Sequence, residues 1–252
     1  MTLWHFGLVT ATGLAAGIIN TLAGGGSLLT LPLLIFLGLP GSVANGTNRV
    51  AVLVQNLSAV AGFRSKGFEN LGYGLFLAGP AIIGAIIGAR IAVDLSDQLF
   101  QKILGVLMLA ILALILWNPA RRYGSGTENL SPGRRWMAAF FFLFVGFYGG
   151  FIQAGVGFLV IATLTIVNGL DLVKTNSYKV VVNSGFTLIA LLVFALHGEV
   201  RWVVGLLLAV GMGLGGWIGS HLAVAGGEKF IRVVLTIAVL VMSLKLLLGP
   251  AL

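Results

Sequence analysis

The sequence contains no cysteine, three histidines and seven acidic residues among its 252 positions. Without cysteine there are no disulfides or thiolate metal sites, and three histidines leave little room for a zinc centre, so we expect neither a metal nor another cofactor. The seven acidic residues all lie in or beside predicted connections, which argues against a proton relay built on a deep carboxylate. We find no acid-base pair, P-loop or nucleophile motif, and therefore do not predict an enzyme.

Charged residues of either sign are also scarce. They make up 9% of the chain, against 58% hydrophobic residues, and the mean hydropathy is +1.07. Because a soluble domain carries about 25% charged residues, the composition predicts an all-α integral membrane protein of about eight to ten helical segments. The net charge of +8 does not indicate nucleic-acid binding, since the basic residues are scattered at segment ends and in one linker.

Glycine, in contrast, is abundant, and its positions reveal an internal duplication. Seven glycines have a counterpart 131 residues later, as does one phenylalanine: Gly24/Gly155, Gly26/Gly157, Gly38/Gly169, Gly67/Gly198, Gly74/Gly205, Gly84/Gly215, Gly88/Gly219 and Phe63/Phe194. Duplicated hydrophobic chains are typical of secondary transporters, in which matching helix breaks of the two halves meet near the bilayer midplane. The pattern predicts two pseudo-symmetric repeats with a substrate site between them.

The apolar stretches form two sets of five. They lie at 5–22, 27–39, 49–63, 71–93 and 99–117, then at 136–153, 158–170, 180–194, 202–224 and 230–248. We predict a first transmembrane repeat at 1–117, a linker at 118–135 and a second transmembrane repeat at 136–252. Four arginines place the linker on the cytoplasmic side by the positive-inside rule, which predicts a multi-pass protein of the cytoplasmic membrane.

The number of membrane crossings in each repeat decides how the two repeats are oriented relative to each other. An odd number inverts the second repeat relative to the first, and an even number leaves the repeats parallel. Segment 27–39 spans only about 20 Å as a helix, so it is half of a broken helix or one arm of a re-entrant hairpin. If 27–39 and 49–63 form one hairpin, three crossings remain; if only 27–39 folds back, four remain. We favour inverted repeats, and the parallel arrangement stays open.

The first candidate site is the run from Asn20 to Ser27 (NTLAGGGS), where one apolar segment stops and a short one starts. Three glycines leave backbone groups to be satisfied by protein, water or ligand, and the helix N-terminus that follows suits an anion. Its counterpart is 153–157 (QAGVG). Close helix packing or a plain interfacial turn is the alternative reading.

The second candidate site is 42–49 (SVANGTNR), which aligns with 174–179 (KTNSYK) after a one-residue gap. In that alignment Asn45 meets Thr175, Thr47 meets Ser177, and Arg49 meets Lys179. Each half thus brings hydroxyls, an amide and one cation to the start of an apolar helix, where two cations attract an anion across a pseudo-twofold axis. The alternative is that both cations lie at the interface with lipid phosphate.

Other polar and glycine residues allow less specific predictions. For Gln55, Asn56 and Asn183 two alternatives stay open: they line the transport path, or they form hydrogen bonds between helices. The spacing of Gly84/Gly88 and Gly215/Gly219 predicts close helix packing.

These motifs resemble those of the sulfite exporter TauE/SafE family, also called the 4-toluene sulfonate uptake permeases. The resemblance rests on 17–27 (GIINTLAGGGS), 31–34 (LPLL) and 44–49 (ANGTNR), with 174–180 (KTNSYKV) in the second half and a looser match at 153–157. It implies a bacterial-type cytoplasmic-membrane transporter of sulfite, organosulfonates, or related oxoanions and carboxylates. Substrate and direction differ among members.

The resulting expectation is a carrier that moves a small sulfur-containing anion past a central site. The predicted substrate contacts are Asn20, Gly24, Gly25, Gly26, Ser27, Asn45, Thr47, Asn48, Arg49, Gln153, Gly155, Gly157, Asn176, Ser177 and Lys179. A passive anion channel, a carboxylate transporter, and a membrane enzyme or assembly factor acting on lipid-linked material are the alternatives. The expected partners are the anion and the bilayer; the coupling ion and a homo-oligomeric state stay open.

Overall fold

The computed structural model describes residues 3–68, 72–117 and 127–248, and every regular element in these ranges is an α-helix. In chain order they are α1 (Leu3–Ala23), α2 (Ser27–Phe36), α3 (Gly41–Arg64), α4 (Gly72–Val93), α5 (Asp97–Trp117), α6 (Pro132–Phe151), α7 (Val156–Asn168), α8 (Leu172–Leu196) and α9 (Trp202–Leu248). The predicted all-α class is confirmed. Of the predicted linker, 118–126 lies outside the described residues, and α6 begins at Pro132.

Three stretches of helix in the described part of the chain are long and apolar enough to cross a bilayer: α4, α8 and Trp202–Gly226 within α9. Two elements are much shorter. The 10 residues of α2 and the 13 of α7 extend about 15 and 20 Å, less than the roughly 30 Å hydrocarbon core. The short second segment predicted in each half is therefore present.

The chain turns at glycines that repeat with the predicted spacing. Glycine lacks a Cβ atom and so adopts positive φ at little cost. The described glycines with positive φ form three pairs separated by 131 residues: Gly24/Gly155 (85° and 72°), Gly38/Gly169 (88° and 63°) and Gly67/Gly198 (87° and 74°). The internal duplication seen in the sequence is thus a duplication of backbone conformation.

Two helix boundaries differ from the apolar stretches. Helix α3 begins at Gly41, eight residues before the stretch at 49–63, because the polar residues that start it are buried against protein and need no apolar side chains. Helix α9 runs through the interval between the stretches at 202–224 and 230–248 without a break. Its 47 residues would extend about 70 Å, so only part of α9 can lie within one bilayer.

Small residues allow close packing between the two halves. Gly84 and Gly88 of α4 lie against the backbone of α6 near Leu143 and Phe147, and Gly215 of α9 lies against Leu14 and Gly17 of α1. A Cβ atom at any of these glycines would collide with the facing helix. The predicted packing role is confirmed, and the first helix of each half packs on the fourth helix of the other half.

Helices α3 and α8 pair at the centre of the fold. The guanidinium of Arg49, near the start of α3, stacks 4.7 Å from the ring of Phe194, near the end of α8. At the other end, Phe63 of α3 clusters with Leu172 and Val180 of α8. The two helices therefore run antiparallel, and their facing residues are buried along the whole pair.

Candidate functional site

Both helix breaks lie inside the protein. The first, between α1 and α2, comprises Gly24 to Gly26, and the second, between α6 and α7, comprises Ile152 to Gly155; all these residues are buried. Gln153 is the one non-glycine residue with positive φ in the described chain, at 66°. Such a conformation is uncommon for a residue with a side chain, and backbone strain of this kind is concentrated at functional sites.

The first break touches the first turn of α7, directly after the second break, and we call this the contact of the breaks. A Cβ atom added to Gly24 would collide with the backbone of Gly157, and one added to Gly157 would collide with Gly24. Two backbones come this close only where neither residue has a side chain, so glycine is required at both positions. The glycine motifs predicted from each half thus form one contact between the halves.

Several N–H groups at this contact have no hydrogen-bond acceptor among the described residues. The Gly26 N–H donates to Asn20 Oδ1 at 3.2 Å. The N–H groups of Gly25 and Ser27, and those of Gly155 and Gly157 across the contact, have no such partner. N-terminal N–H groups and the positive end of the helix dipole favour a negative ligand, and here two helix N-termini bring them together.

Lys179 of α8 caps the broken end of α1 in the other half. Its Nζ donates to the carbonyl oxygens of Asn20 at 3.0 Å and Thr21 at 2.8 Å, and to Asn176 Oδ1 at 2.6 Å. Asn176 Nδ2 donates in turn to the carbonyl oxygen of Leu22 at 3.2 Å. Three of the carbonyls in the last turn of α1, those of Asn20, Thr21 and Leu22, thereby accept hydrogen bonds from α8.

Arg49 of α3 caps the C-terminal end of α6, a helix of the other half, in the same way. Its Nη1 donates to the carbonyl oxygen of Gly149 at 2.9 Å, and its Nη2 donates to that of Gly150 at 2.5 Å. Asn45 Nδ2 donates to the carbonyl oxygen of Phe151 at 2.7 Å, and Asn45 Oδ1 accepts from Arg49. By these contacts Arg49 corresponds to Lys179 as predicted, whereas Asn45 corresponds to Asn176 and not to Thr175.

The two cations are fully enclosed, with 0% of Arg49 and 1% of Lys179 exposed. No acidic side chain pairs with either of them within the described residues; the salt bridge found there joins Lys174 to Glu128 at the surface. Their charges are instead stabilised by the negative ends of two helix dipoles and by amide oxygens. The centre of the protein thus carries two basic side chains that no acidic side chain of the described residues neutralises.

The other predicted contacts divide into those at the breaks and those away from them. Asn20 Nδ2 donates to Gln55 Oε1 at 2.6 Å, and Asn48 Nδ2 donates to Ser27 Oγ at 3.1 Å, so these residues hold the first break. Thr47 Oγ1 accepts from the Arg201 N–H at 2.9 Å, and Ser177 Oγ donates to the carbonyl of Lys174. The hydroxyls of Thr47 and Ser177 are therefore engaged with residues outside the breaks.

Three residues of the polar centre were not among the predicted contacts. Thr21 Oγ1 accepts from Gln55 Nε2 at 2.7 Å, Thr30 Oγ1 donates to Asn48 Oδ1 at 2.7 Å, and Thr187 Oγ1 accepts from Gln153 Nε2 at 2.7 Å. Thr21 lies within the predicted run from Asn20 to Ser27, and Thr30 lies three residues after it, so both were in reach of that motif. Thr187 is 34 residues from Gln153 and carries no local signal.

Comparison with known proteins agrees with this architecture. The sequence profile of the family "Sulfite exporter TauE/SafE" matches residues 9–246. A "Probable membrane transporter protein YfcA" of Escherichia coli is 31% identical over 250 residues, covering 96% of this chain and 89% of the relative. A "Probable membrane transporter protein ORF9" of Sinorhizobium sp. is 30% identical over 242 residues, covering 93% and 89%.

A "Probable membrane transporter protein" of Haemophilus influenzae is 28% identical over 239 residues, covering 95% of this chain and 93% of the relative. No solved structure gives a significant match. The family is one of membrane transporters, which is not an enzyme class, and its profile spans all nine described helices in part or in full. The resemblance in the glycine motifs is thereby confirmed: this chain is a membrane protein that belongs to the sulfite exporter TauE/SafE family of transporters.

Proposed function

We propose that this protein is a secondary carrier of the cytoplasmic membrane that moves a small sulfur-containing anion, such as sulfite or an organosulfonate, through a site at the contact of its two helix breaks. The observation that carries the proposal is the Gly24–Gly157 contact, flanked by unpartnered N–H groups and by two buried cations. Such a place attracts a negative solute and replaces part of its hydration shell.

The predicted contact residues have distinct roles in this proposal. Gly25, Ser27, Gly155 and Gly157 offer backbone N–H groups, while the side chains of Arg49 and Lys179 supply the positive charge. Asn20, Asn45 and Asn176 fix the breaks and the cations through the hydrogen bonds described above. Transport follows from rocking or gating of one repeat against the other around the site, with the repeats in inverted orientation.

Antiparallel pairing of α3 and α8 supports the inverted arrangement. These helices occupy equivalent places in the two halves, and equivalent ends of them point in opposite directions. The family description supports sulfite as the first substrate to examine.

The experiment is a flux assay with purified protein in liposomes. We expect saturable uptake of labelled sulfite that unlabelled sulfite and organosulfonates inhibit. Proton and sodium gradients are imposed in separate samples, and chloride and small carboxylates serve as competing anions. Chloride currents far above carrier turnover would indicate the passive channel instead, and preferential carboxylate uptake would reassign the substrate.

Arg49→Ala and Lys179→Ala test the two cations in this assay. Each is expected to lower sulfite uptake at least about tenfold, since each removes a buried charge from the path of the anion. Arg64→Ala, at the exposed end of α3, is the matched control and should transport normally. Normal uptake by both alanine variants would remove the cations from the mechanism.

A further inference from the structure

Four neutral polar side chains lie in the middle of the protein beside the α3–α8 pair. They are Asn56 of α3, Gln153 at the second break, and Asn183 and Thr187 of α8. None has more than 2% of its surface exposed. The hydrogen bond from Gln153 Nε2 to Thr187 Oγ1, 2.7 Å long, fixes the second break to α8.

The register of the helix pair brings Asn56 to the same place. Arg49 stacks on Phe194, and 14 residues further along each helix, in opposite directions, Phe63 and Val180 belong to one hydrophobic cluster. Counting seven residues along each antiparallel helix from the Arg49–Phe194 contact, we infer that Asn56 of α3 lies at the level of Thr187 of α8. Asn183 lies one helical turn from Thr187 on the same face of α8, since residues four apart are neighbours on a helix.

The unpartnered atoms of this cluster are mostly oxygens. Among the described residues Asn56 Oδ1, Gln153 Oε1 and Asn183 Oδ1 have no hydrogen-bond donor, and Asn56 Nδ2 has no acceptor. Buried polar groups are almost always paired, so several such atoms together point to a ligand. An anion does not satisfy carbonyl oxygens, because they are acceptors only.

We propose that this cluster, named the amide cluster (Asn56, Gln153, Asn183 and Thr187), binds a sodium ion. Amide and hydroxyl oxygens beside a broken helix are ligands that suit a small hard cation in transporters. Without a carboxylate the cluster is neutral and suits a monovalent ion better than a divalent one. The ion would satisfy the three unpartnered oxygens at once.

The charges around the cluster link this ion to the anion. Lys179 precedes Asn183 by one helical turn, and Arg49 precedes Asn56 by two, so two positive charges lie near the cluster and no acidic side chain of the described residues pairs with them. A bare sodium ion is therefore repelled until a negative charge arrives. When the anion enters the adjacent breaks, its negative charge reduces the repulsion between the two cations and the sodium ion. The sodium ion in turn adds positive charge that attracts the anion, so the two ligands bind cooperatively. This step rests on the proposed function.

The experiment compares labelled-sulfite uptake into proteoliposomes under equal inward gradients of sodium, potassium or N-methylglucamine. We expect sodium to raise uptake about tenfold, within the usual range of coupling between two ligand sites. Asn56→Leu and Asn183→Leu keep the approximate volume but remove the oxygen ligand, and they should reduce the sodium effect to less than about twofold. Ser184→Ala is the matched control, because the Ser184 hydroxyl bonds only its own helix at Val180 and lies outside the amide cluster.

Direct binding separates this inference from the proposed function. Radioactive sodium should bind purified wild-type protein saturably, more tightly when sulfite is present, and Asn183→Leu should abolish that gain. Sulfite uptake that is equal in sodium and N-methylglucamine overturns the sodium site and leaves the anion carrier standing. Absence of all anion transport refutes the proposed function, and absence of saturable sodium binding, with or without sulfite, then refutes the amide cluster as well.

Discussion

At the scale of single residues, the two buried cations show how a charge is stabilised where the described residues supply no acidic partner. Arg49 and Lys179 each donate to the last carbonyls of a helix from the other half and to an asparagine amide oxygen. These acceptors are the negative ends of two helix dipoles, which stabilise a nearby cation. Each cation therefore joins the two halves in addition to providing charge at the breaks.

This arrangement predicts that arginine and lysine are not interchangeable at position 49. Lysine has three N–H donors on one nitrogen, but it lacks the planar fork whose two terminal nitrogens each donate to one carbonyl, at Gly149 and Gly150, while its flat face stacks on the Phe194 ring. Arg49→Lys should destabilise the purified protein by about 1–2 kcal/mol, and Arg49→Met by about 2–4 kcal/mol, because three acceptors then lose their donor. The thermal midpoint in detergent measures both effects.

Arg64→Met provides the comparison for these variants. Arg64 ends the same helix but is exposed, so its loss should change stability by less than about 0.5 kcal/mol. Equal thermal midpoints for Arg49→Met and Arg64→Met would show that the carbonyl contacts of Arg49 contribute nothing to the fold.

At the scale of helices, the sequence predicts the breaks well because glycine leaves a local signal. Gly24, Gly38 and Gly67 and their counterparts need positive φ, and a sequence repeat of glycines therefore reports a repeat of backbone turns. The start of α3 was missed because an apolar-run criterion assumes contact with lipid. Asn45 and Asn48 are instead buried against protein carbonyls and hydroxyls, so helix continues through a polar run.

The close contact of the two breaks predicts that a side chain at Gly157 disrupts both stability and transport. Gly157→Ala should separate α7 from the first break, because the added methyl meets the Gly24 backbone and not a flexible side chain. We expect a loss of stability of about 1–3 kcal/mol, as in other overpacked interiors, and at least about a tenfold loss of sulfite uptake. Thermal midpoint and liposome uptake, measured on the same preparation, test this.

Gly79→Ala is the matched variant. Gly79 lies on the exposed face of α4 with no atom near an added Cβ, so alanine there fits and favours the helix. It should leave uptake unchanged and stability equal or slightly raised. Uptake as high in Gly157→Ala as in Gly79→Ala would mean that the anion does not pass the contact of the breaks.

At the scale of the whole molecule, sequence reasoning predicted two halves but not which residues of one half contact the other. The acceptors of Lys179 in the other half are backbone carbonyls 158 and 159 residues away, and every residue has a carbonyl, so no side-chain pattern marks them. The amide cluster was likewise beyond reach, because the pairing of α3 with α8 brings its members together. The sequence shows which residue types are present, whereas their contact partners depend on how the two halves pack.

The antiparallel pairing of α3 with α8 leads to the last prediction, that the two repeats are inverted relative to each other in the membrane. Lys66 and His197 are exposed, follow α3 and α8, and occupy equivalent positions 131 residues apart. Because α3 and α8 run antiparallel, these residues belong to opposite ends of the central pair.

The chain has no cysteine, so Lys66→Cys and His197→Cys each introduce a single reactive thiol without further changes. In intact cells a membrane-impermeant maleimide should label one of the two variants and spare the other, whereas after lysis it should label both. Labelling from the same side would establish parallel repeats. The two breaks would then approach their contact from the same side of the membrane, and rocking around a central pseudo-twofold axis in the membrane plane would be excluded.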